Sequence, residues 1–326
     1  MGQYDTDIGI IGCGRWGINH VKTAFSLMGA QRMTVADANP SAAAKVTAVS
    51  PSIRFTTNRE EVLNNPAVKG LIIATPAETH FAIARESLDH GKHVLIEKPI
   101  TLKSEDAKAL IDLAKRKNLQ IMVGHVLLYH PAIHMVKKYI SEKKIGNVQY
   151  IYSNRLNLGA LRSEENVLWS FAPHDISIIQ YFTETQPIKI EAHGARFLQK
   201  GIEDTTMTIL EYPNNIHAHI FVSWLHPFKE HRLVVIGDKG MLVFEDSLPN
   251  NKLKYYPKGF VKTENGFEKF EGEFEPVPFE NLQPLTEEHK HFYECIIHNK
   301  TPLTDGVHAL EVLRILEQAT MRLHHA

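Results

Sequence analysis

A glutamate and a lysine, Glu97 and Lys98, follow directly on an apolar stretch in HVLIEKP, positions 93–99. Such a stretch is typical of a buried strand, and Pro99 ends it because proline cannot donate a hydrogen bond to the sheet. A lysine amine can take part in proton transfer when its surroundings shift its pKa towards neutrality. Lys98 is therefore a candidate catalytic residue, the alternative being a solvated lysine at the end of a strand.

A glycine-rich loop lies near the start of the chain, where IGIIGCGRWG holds Gly12, Gly14 and Gly17 at the spacing G-x-G-x-x-G. The first glycine permits a tight turn, the second lets the backbone approach a pyrophosphate, and the third allows close packing of helix on strand. Glycines also occur in turns for steric reasons alone, but here an apolar run precedes the loop and a helical pattern follows it. The loop, with Arg15 and Trp16, is predicted to bind the phosphates of a dinucleotide.

An acidic residue, Asp37, ends the second apolar run, twenty residues after Gly17 (37 − 17). A carboxylate there can bind the two ribose hydroxyls of NAD and repels the extra phosphate of NADP. The next three residues, Ala-Asn-Pro at 38–40, offer no arginine to receive that phosphate. We expect NAD as the cofactor; the alternative role for Asp37 is helix capping.

Short apolar runs alternate with helical segments up to about residue 125. Runs that are apolar on both faces and separated by helices predict a doubly wound parallel sheet. In such a sheet, ligands bind at the carboxyl ends of the strands. The glycine loop, Asp37, ATPAETH (74–80) and EKP (97–99) all fall at these ends, so we expect them to share one edge of the sheet.

The pattern changes between residues 148 and 280, where longer strands alternate apolar and polar residues. This predicts a second, α/β domain with a large, mostly antiparallel open sheet. One helix is expected at about 174–183 and a closing helix at 306–323, which could pack back against the first domain. The expected domains are residues 1–125, which bind the cofactor, and residues 126–326, which bind the substrate and form oligomer contacts.

Composition argues against several classes of partner. The 326 residues are 43% hydrophobic and carry a formal net charge of −1, so bulk charge predicts neither a nucleic-acid nor a membrane partner. No run approaches the roughly 20 apolar residues of a membrane span. Two cysteines, Cys13 and Cys295, suit a reducing compartment, so we expect a cytoplasmic protein. Histidine pairs such as His130 and His134 lack a third ligand, and no metal site is predicted.

Several segments resemble the glucose–fructose oxidoreductase/inositol dehydrogenase (Gfo/Idh/MocA) family. Besides the glycine loop they are ATPAETHFAIARESLDHGKHVLIEKP (74–99), the stretch around YHPAI (129–133) and GDKGMLVFED (237–246). The resemblance covers nearly the whole chain, and GKHVLIEKP is specific. It implies an N-terminal Rossmann domain, a C-terminal α/β domain with a large open sheet, and NAD(P)-linked oxidation or reduction of a sugar carbon. A dimer or tetramer formed through the open sheet face is also implied.

The resemblance assigns roles to residues of the first domain. It implies that Lys98 is catalytic and that Thr75, Pro76 and Glu97 contact the cofactor. His80 belongs to the same ATPAETH segment. The full set of expected cofactor-binding residues is Gly12, Gly14, Arg15, Trp16, Gly17, Asp37, Thr75, Pro76, His80, Glu97 and Lys98.

A histidine of the second half, His174 in NVLWSFAPHDISI, matches the family's catalytic histidine. The family usually has an aspartate four residues earlier, where this chain has Ser170, which puts in doubt a proton relay through a carboxylate there. Oxidation of a secondary alcohol requires a base to remove the hydroxyl proton. We expect His174 to be the direct base and Lys98 to polarise the oxygen, although the two roles could be reversed.

The segment NRLNLGALRSEENVLWSFAPHD (154–175) resembles a subgroup of nucleotide-sugar 3-dehydrogenases. Those enzymes oxidise UDP-N-acetylglucosamine or its uronic acid to a 3-keto sugar for amino-sugar and lipopolysaccharide synthesis. An arginine suits bidentate binding of a diphosphate or carboxylate, although Arg162 could equally pair with a neighbouring glutamate. The expected substrate-binding residues are Arg155, Asn157, Arg162, Asn166 and Asp175.

Three other functions compete with a nucleotide-sugar dehydrogenase. A dehydrogenase of a free sugar or inositol would need fewer charged residues in 155–166. A glycosidase that uses NAD transiently would leave no net NADH. A non-catalytic NAD-binding regulator is disfavoured because both Lys98 and His174 are present.

Overall fold

The computed structural model describes residues 6–159 and 161–323, which fall into two compact units. Unit 1 contains the described residues up to Tyr129 together with Leu282–Leu313, and unit 2 contains His130–Asn281 and the described residues from Arg314. The expected boundary at residue 125 lies four residues before this division (129 − 125). Residues 282–313, which the sequence placed in the second domain, cluster with unit 1.

Unit 1 contains a six-stranded parallel sheet in the order β3-β2-β1-β4-β5-β6. Its strands are β1 Asp7–Ile11, β2 Met33–Ala36, β3 Arg54–Thr56, β4 Val68–Ile73, β5 His93–Ile96 and β6 Ile121–Val123. The helices that follow in the first 129 residues are α1 Gly17–Met28, α2 Ala42–Val49, α3 Glu60–Leu63, α4 His80–Asp89 and α5 Ser104–Lys117. The predicted doubly wound sheet is confirmed.

The strand order reverses between β1 and β4, which are neighbours in the sheet but not in the chain. Their side chains are buried on both faces: successive residues point to opposite faces, and Ile72 and Ile73 are each 0% exposed, while Ile10 and Ile11 are 0% and 4% exposed. Burial of such runs on both faces is what a parallel sheet covered by helices requires. Loops that leave β1 and β4 in opposite directions open a crevice at the carboxyl edge, where ligands bind in this architecture.

Unit 2 contains an eight-stranded sheet in the order β16-β13-β12-β11-β7-β10-β9-β8. Neighbours are antiparallel except β7 and β10, so the predicted mostly antiparallel sheet is confirmed. A separate hairpin pairs β14 with β15. The elements are α6 Pro131–Ser141, β7 Val148–Leu158, α7 Val167–Thr183, β8 Lys189–Ala195, β9 Thr205–Tyr212, β10 Ile216–Ser223, β11 Leu225–Gly237, β12 Met241–Glu245, β13 Leu253–Tyr256, β14 Lys258–Thr263, β15 Gly266–Glu271 and β16 Glu275–Pro276.

Helix α7 begins seven residues before the expected start at His174 (174 − 167). The side chain of Asn166 accepts a hydrogen bond from the backbone N–H of Trp169, 3.2 Å away, which is the N-cap that starts the helix. Pro173 lies inside the helix. A proline usually marks a helix boundary, which is why the sequence pattern placed the start after it.

The chain ends with α8 Pro284–His298 and α9 Gly306–Leu323. Helix α8 packs against α1 and β4 of unit 1. Between the two helices, the Thr304 hydroxyl donates to the carbonyl oxygen of Val123 at 2.7 Å, and the Val123 N–H donates to the carbonyl oxygen of Thr304 at 2.8 Å. These bonds attach the segment to β6, a pairing that periodicity could not reveal. No helix among the described residues is long and apolar enough to cross a membrane.

Candidate active site

The glycine loop between β1 and α1 requires glycine at two positions. Gly12 has φ +95°, and a Cβ there would lie 2.7 Å from the carbonyl oxygen of Ala74. A Cβ on Gly17 would overlap the carbonyl group of Gly12. The tight turn and the close approach of α1 to the strand therefore both depend on the missing side chains.

The second glycine of the motif, Gly14, leaves space for a ligand. Among the described residues, no atom lies within 4 Å of the position that its Cβ would take. Gly14, Arg15 and Trp16 are all exposed, and the first turn of α1 holds no acidic residue. Free backbone N–H groups and the helix dipole at this end favour a pyrophosphate, so the loop fits a dinucleotide.

Asp37 follows β2 and holds the glycine loop in place. Its Oδ2 accepts a hydrogen bond from the backbone N–H of Cys13 at 2.6 Å, and its Oδ1 accepts one from Asn39 at 2.9 Å. Each carboxylate oxygen can accept a second bond, and the side chain is only half-buried. Asp37 can therefore accept the ribose hydroxyls of NAD while it supports the loop.

His80 joins the loop after β4 to the loop after β5. Its Nδ1 lies 2.8 Å from the carbonyl oxygen of Pro99, and its Nε2 lies 2.9 Å from that of Thr75. The residue is 1% exposed, whereas Thr75 is half-buried and Pro76 is exposed. His80 thus positions the loop that carries Thr75 and Pro76 next to Lys98-Pro99.

Glu97 is the most densely hydrogen-bonded group at this edge of the sheet. Its Oε1 accepts from Trp16 Nε1 at 2.7 Å and lies 2.8 Å from His20 Nε2, while its Oε2 accepts from the backbone N–H of Lys98 at 3.2 Å. Burial raises the pKa of Glu97, but the bond and charge of His20, the bond from Trp16 and the charge of Lys98 outweigh this, so the pKa is lowered overall. A carboxylate therefore lies beside half-buried Lys98.

Gly124, directly after β6, leaves room for that carboxylate, because a Cβ there would lie 2.9 Å from Glu97 Oε1. Sequence reasoning missed both Gly124 and His20 as parts of the site. A signal for His20 exists: it falls on the buried face of α1 with Val21, Ala24 and Met28. A histidine on an otherwise apolar helix face needs a buried partner, and the only carboxylates predicted nearby were those at strand ends.

In unit 2, His174 is half-buried on α7, and its carbonyl oxygen accepts from the Ser177 hydroxyl at 2.8 Å. Ser170 is buried one turn earlier, at 3% exposure. The Asn166 side chain that caps the helix also donates to Glu203 Oε2 at 2.6 Å. Asn166 therefore fixes the start of the helix that carries His174.

The side chain next to His174, Asp175, forms a buried ion pair. Its Oδ2 accepts from Arg155 Nε at 2.8 Å, and its Oδ1 accepts from Arg155 Nη2 at 2.9 Å and from the Ser153 hydroxyl at 2.6 Å. The side chains of Arg155 and Asp175 are 11% and 1% exposed. Nearby, burial and then the positive charge of Arg155 lower the pKa of His231 to about 4. Arg155 and Asp175 thus hold α7 on β7.

The two remaining expected substrate residues differ in their surroundings. Asn157 is half-buried, and its Oδ1 has no hydrogen-bond partner among the described residues. Arg162 is 49% exposed and its Nη1 lies 2.9 Å from Glu165 Oε1, the neighbouring-glutamate pairing considered above. Such an exposed pair is worth about 1 kcal/mol or less and is easily exchanged for a charged ligand.

Two models of protein families match this chain and identify its fold family. Residues 6–125 match the profile described as "Oxidoreductase family, NAD-binding Rossmann fold", and residues 133–243 match the GFO/IDH/MocA C-terminal domain. Together the matches cover more than half of the 326 residues. The chain belongs to the GFO/IDH/MocA oxidoreductase family. The predicted resemblance, oxidoreductase activity and NAD cofactor are confirmed.

Individual GFO/IDH/MocA proteins are similar over different lengths. The scyllo-inositol 2-dehydrogenase (NAD(+)) of Bacillus subtilis is 25% identical over 98% of this chain and 94% of its own length. UDP-N-acetylglucosamine 3-dehydrogenase of Acidithiobacillus ferrooxidans is 33% identical, over 57% of each chain. A solved structure of the latter enzyme has a TM-score of 0.84 and 25% identity, and the match covers 98% of both chains. The coarse function, a dehydrogenase of the sugar and inositol family, follows.

Within the GFO/IDH/MocA fold, the structure brings most of the expected cofactor residues of unit 1 to one edge of its sheet. The glycine loop is hydrogen-bonded to Asp37, and Trp16 is hydrogen-bonded to Glu97. His80 is hydrogen-bonded to the loops that follow β4 and β5. In unit 2, Arg155 meets Asp175 directly, whereas Arg162 pairs with its neighbour and Asn166 caps a helix. Among the described residues, no group of three or more His, Cys, Asp or Glu side chains is arranged to hold a metal ion.

Proposed function

We propose that the protein oxidises the 3-hydroxyl of a UDP-N-acetylhexosamine, UDP-N-acetylglucosamine or its uronate, to a 3-keto sugar. One observation carries this choice of substrate: the structural match to UDP-N-acetylglucosamine 3-dehydrogenase extends over 98% of both chains at 25% identity. The higher identity to the same enzyme over part of the chain, 33%, supports it. A 3-keto sugar of this kind is a substrate for transamination in amino-sugar synthesis.

The proposed chemistry uses two side chains, His174 and Lys98. Bound NAD supplies the nicotinamide ring that accepts a hydride from the sugar carbon. His174 removes the hydroxyl proton, and the Lys98 ammonium stabilises the negative charge that develops on the oxygen. The reverse assignment is the alternative. Ser170 stands one turn before His174, where the family usually has an aspartate. It therefore has no carboxylate that could accept the proton from His174.

The substrate contacts in this proposal fall to two kinds of side chain. Asn157 has a buried, unused acceptor among the described residues, which suits a sugar hydroxyl or amide N–H. Arg162 can exchange its exposed glutamate for a diphosphate. Arg155 and Asp175 already satisfy one another, so we expect them to support α7 and the neighbouring His174 as well as any ligand they touch.

A dehydrogenase of inositol or a free sugar is the second candidate, because the inositol enzyme of Bacillus subtilis matches 98% of this chain. That substrate has no diphosphate, so Arg162 would play no part in its binding. Arg162→Ala therefore separates the two candidates: it raises KM for a UDP-sugar about tenfold or more, as loss of a charged contact should, and leaves KM for inositol in place.

We further infer a homo-oligomer in a reducing compartment. Cys13 and Cys295 are both buried and unpaired, which suits the cytoplasm. The family resemblance supports the oligomer, as do apolar side chains on one face of the large sheet, among them Met207 and Phe221, which face each other across β9 and β10.

The experiment that tests the function follows NADH absorbance with NAD and a panel of sugars. The panel holds UDP-N-acetylglucosamine, its uronic acid, glucose and myo-inositol, with a carbonyl trap to draw the equilibrium forward. We expect NAD to be reduced with a UDP-sugar but not with glucose or myo-inositol. Reduction of NAD with a free polyol and not with a UDP-sugar would contradict the proposal. Lys98→Ala and His174→Ala should each lower turnover about 100-fold while NAD still binds.

A further inference from the structure

Unit 1 contains a chain of four hydrogen-bonded side chains that leads from α8 to Glu97. The Tyr293 hydroxyl lies 2.9 Å from His289 Nδ1. His289 Nε2 lies 2.8 Å from His20 Nδ1, and His20 Nε2 lies 2.8 Å from Glu97 Oε1. Tyr293, His289 and His20 are each 0% exposed. None of the three was singled out in the sequence.

Donors and acceptors along this chain can all be satisfied in one direction. A neutral histidine has one N–H and one bare nitrogen. If Glu97 is a carboxylate, His20 must donate to it from Nε2. With a neutral His20, Nδ1 accepts from His289 Nε2–H and His289 Nδ1 accepts from the Tyr293 hydroxyl. The indole N–H of Trp16, which can only donate, also points at Glu97 Oε1. The arrangement therefore matches an ionised Glu97 that accepts hydrogen bonds from His20 and Trp16.

Other titratable groups face this chain and agree with that charge state. On α8, Glu288 is 0% exposed; its burial and the charge of Glu97 raise its pKa well above the ordinary value. The pKa of His289 is lowered well below its ordinary value, by burial and then by His20. After β6, burial, His308 and Lys98 lower the pKa of His125 in the same way. Glu97 is thus the anion that faces Lys98.

We propose that Tyr293, His289 and His20 are positioning residues which hold Glu97 as a carboxylate beside Lys98 for the proposed dehydrogenation. This inference rests on the proposed function and adds three residues to it. The Lys98 charge lowers the pKa of Glu97, and the effect is reciprocal: an ionised Glu97 stabilises the ammonium form of Lys98. The hydrogen-bonded side chains therefore keep Lys98 protonated. Lys98 must be protonated to stabilise negative charge on the substrate oxygen.

The pH dependence of kcat/KM tests the proposal. Activity should fall at alkaline pH as Lys98 loses its proton. His289→Leu removes the hydrogen-bond partner of His20 Nδ1, which frees the His20 ring to turn away from Glu97. The alkaline limb should then move to lower pH by about one unit. Tyr293→Phe should move it in the same direction by less.

Two further variants separate positioning from loss of structure. The side-chain amide of His289→Gln can donate from nearly the same position as Nε2, so the alkaline limb should return towards its original place. Tyr212→Phe also deletes a buried tyrosine hydroxyl, one that donates to Gln180 in unit 2, and should leave the limb in place. A folded His289→Leu protein with an unmoved alkaline limb would overturn the proposal.

Nitrogen-15 NMR of histidine-labelled protein provides a readout that needs no substrate. His20 should carry a proton on Nε2, the nitrogen that faces Glu97, and its signals are identified by their disappearance in His20→Gln. A bare Nε2 on His20 would overturn the proposal, because the ring could then no longer donate to Glu97. Expected tautomers in a protein that oxidises no sugar of the panel would instead contradict the proposed function alone.

Discussion

At the scale of single residues, Asp37 has two roles, and a single substitution should affect the binding of NAD and of NADP to different extents. It supports the glycine loop through Cys13 and Asn39, and it is predicted to accept the ribose hydroxyls of NAD and repel NADP. Asp37→Asn keeps an acceptor oxygen for one of these two loop bonds and removes the charge. We expect the Kd for NAD to rise about tenfold or more while the Kd for NADP rises less or falls, measured by fluorescence titration. Equal losses for both cofactors would show that Asp37 does not select between them.

We expect the buried residue Glu288 to make the free energy of unfolding depend on pH. Its two oxygens have no hydrogen-bond partner among the described residues, and its pKa is raised well above the ordinary value by burial and by Glu97. A carboxyl whose pKa is raised on folding contributes stability below its unfolded pKa and loses it as pH rises through the folded pKa. Glu288→Gln imitates the protonated form, so its stability relative to the native protein should grow with pH, by up to about 1.4 kcal/mol per unit.

The measurement is the free energy of unfolding in urea at pH 5 and pH 8. Glu287→Gln is the matched control, because Glu287 neighbours it on α8 and pairs with Lys290 at the surface. That variant should lose about 1 kcal/mol or less, with little change between the two pH values. A stability gain for Glu288→Gln that shrinks at high pH would mean that Glu288 is ionised in the folded protein.

At the scale of elements, helix α7 depends on the Asn166 cap. Asn166→Ala removes the bond to Trp169 N–H and leaves Glu203 with one donor fewer. The free energy of unfolding should fall by about 1–2 kcal/mol, whereas Asn166→Ser keeps a capping oxygen and should lose less. Chemical denaturation checks both.

The same pair of variants tests the predicted substrate contact. If Asn166 also binds substrate, KM for a UDP-sugar rises in Asn166→Ser even where stability is kept. Unchanged KM in that variant would limit Asn166 to its capping role, and equal stability of the alanine and native proteins would contradict the cap itself.

Strands with a regular alternation of apolar and polar residues could be predicted from the sequence. Features that depend on contacts between residues far apart in the sequence could not. The alternation of apolar and polar residues between 148 and 280 predicted the sheet of unit 2, and burial alternates regularly along β9. The start of α7 was wrong because Pro173 concealed a cap at Asn166. The histidine chain was invisible because His289 and His20 are separated by 269 residues.

At the scale of the whole molecule, the eight-stranded sheet suggests how copies associate. Helix α7 packs on one face of β7, β9 and β10, where Ile220 and Val222 are 0% exposed. The alternate side chains on β9 and β10 include Ile209, Met207 and Phe221, which are half-buried. Phe221 is directly opposite Met207 in the ladder, so apolar groups line this second face.

We predict that this second face forms the contact between copies. Ile209→Lys and Phe221→Lys should each place a charge in that contact and shift the protein towards monomer in analytical ultracentrifugation. Phe260→Lys is the control, since Phe260 is 64% exposed on the separate β14–β15 hairpin. An unchanged sedimenting mass in the two sheet variants would place the contact elsewhere.

The central claim is that a hydride leaves carbon 3 of a UDP-N-acetylhexosamine for NAD, and one measurement tests it directly. UDP-N-acetylglucosamine carrying deuterium at carbon 3 is incubated with the protein, NAD and a carbonyl trap, and the reduced cofactor is examined by mass spectrometry. The account predicts reduced cofactor that is one mass unit heavier, formed about 100-fold more slowly by Lys98→Ala. Reduced cofactor without deuterium would show that another carbon is oxidised, and an absence of reduction alongside bound NAD would contradict the claim.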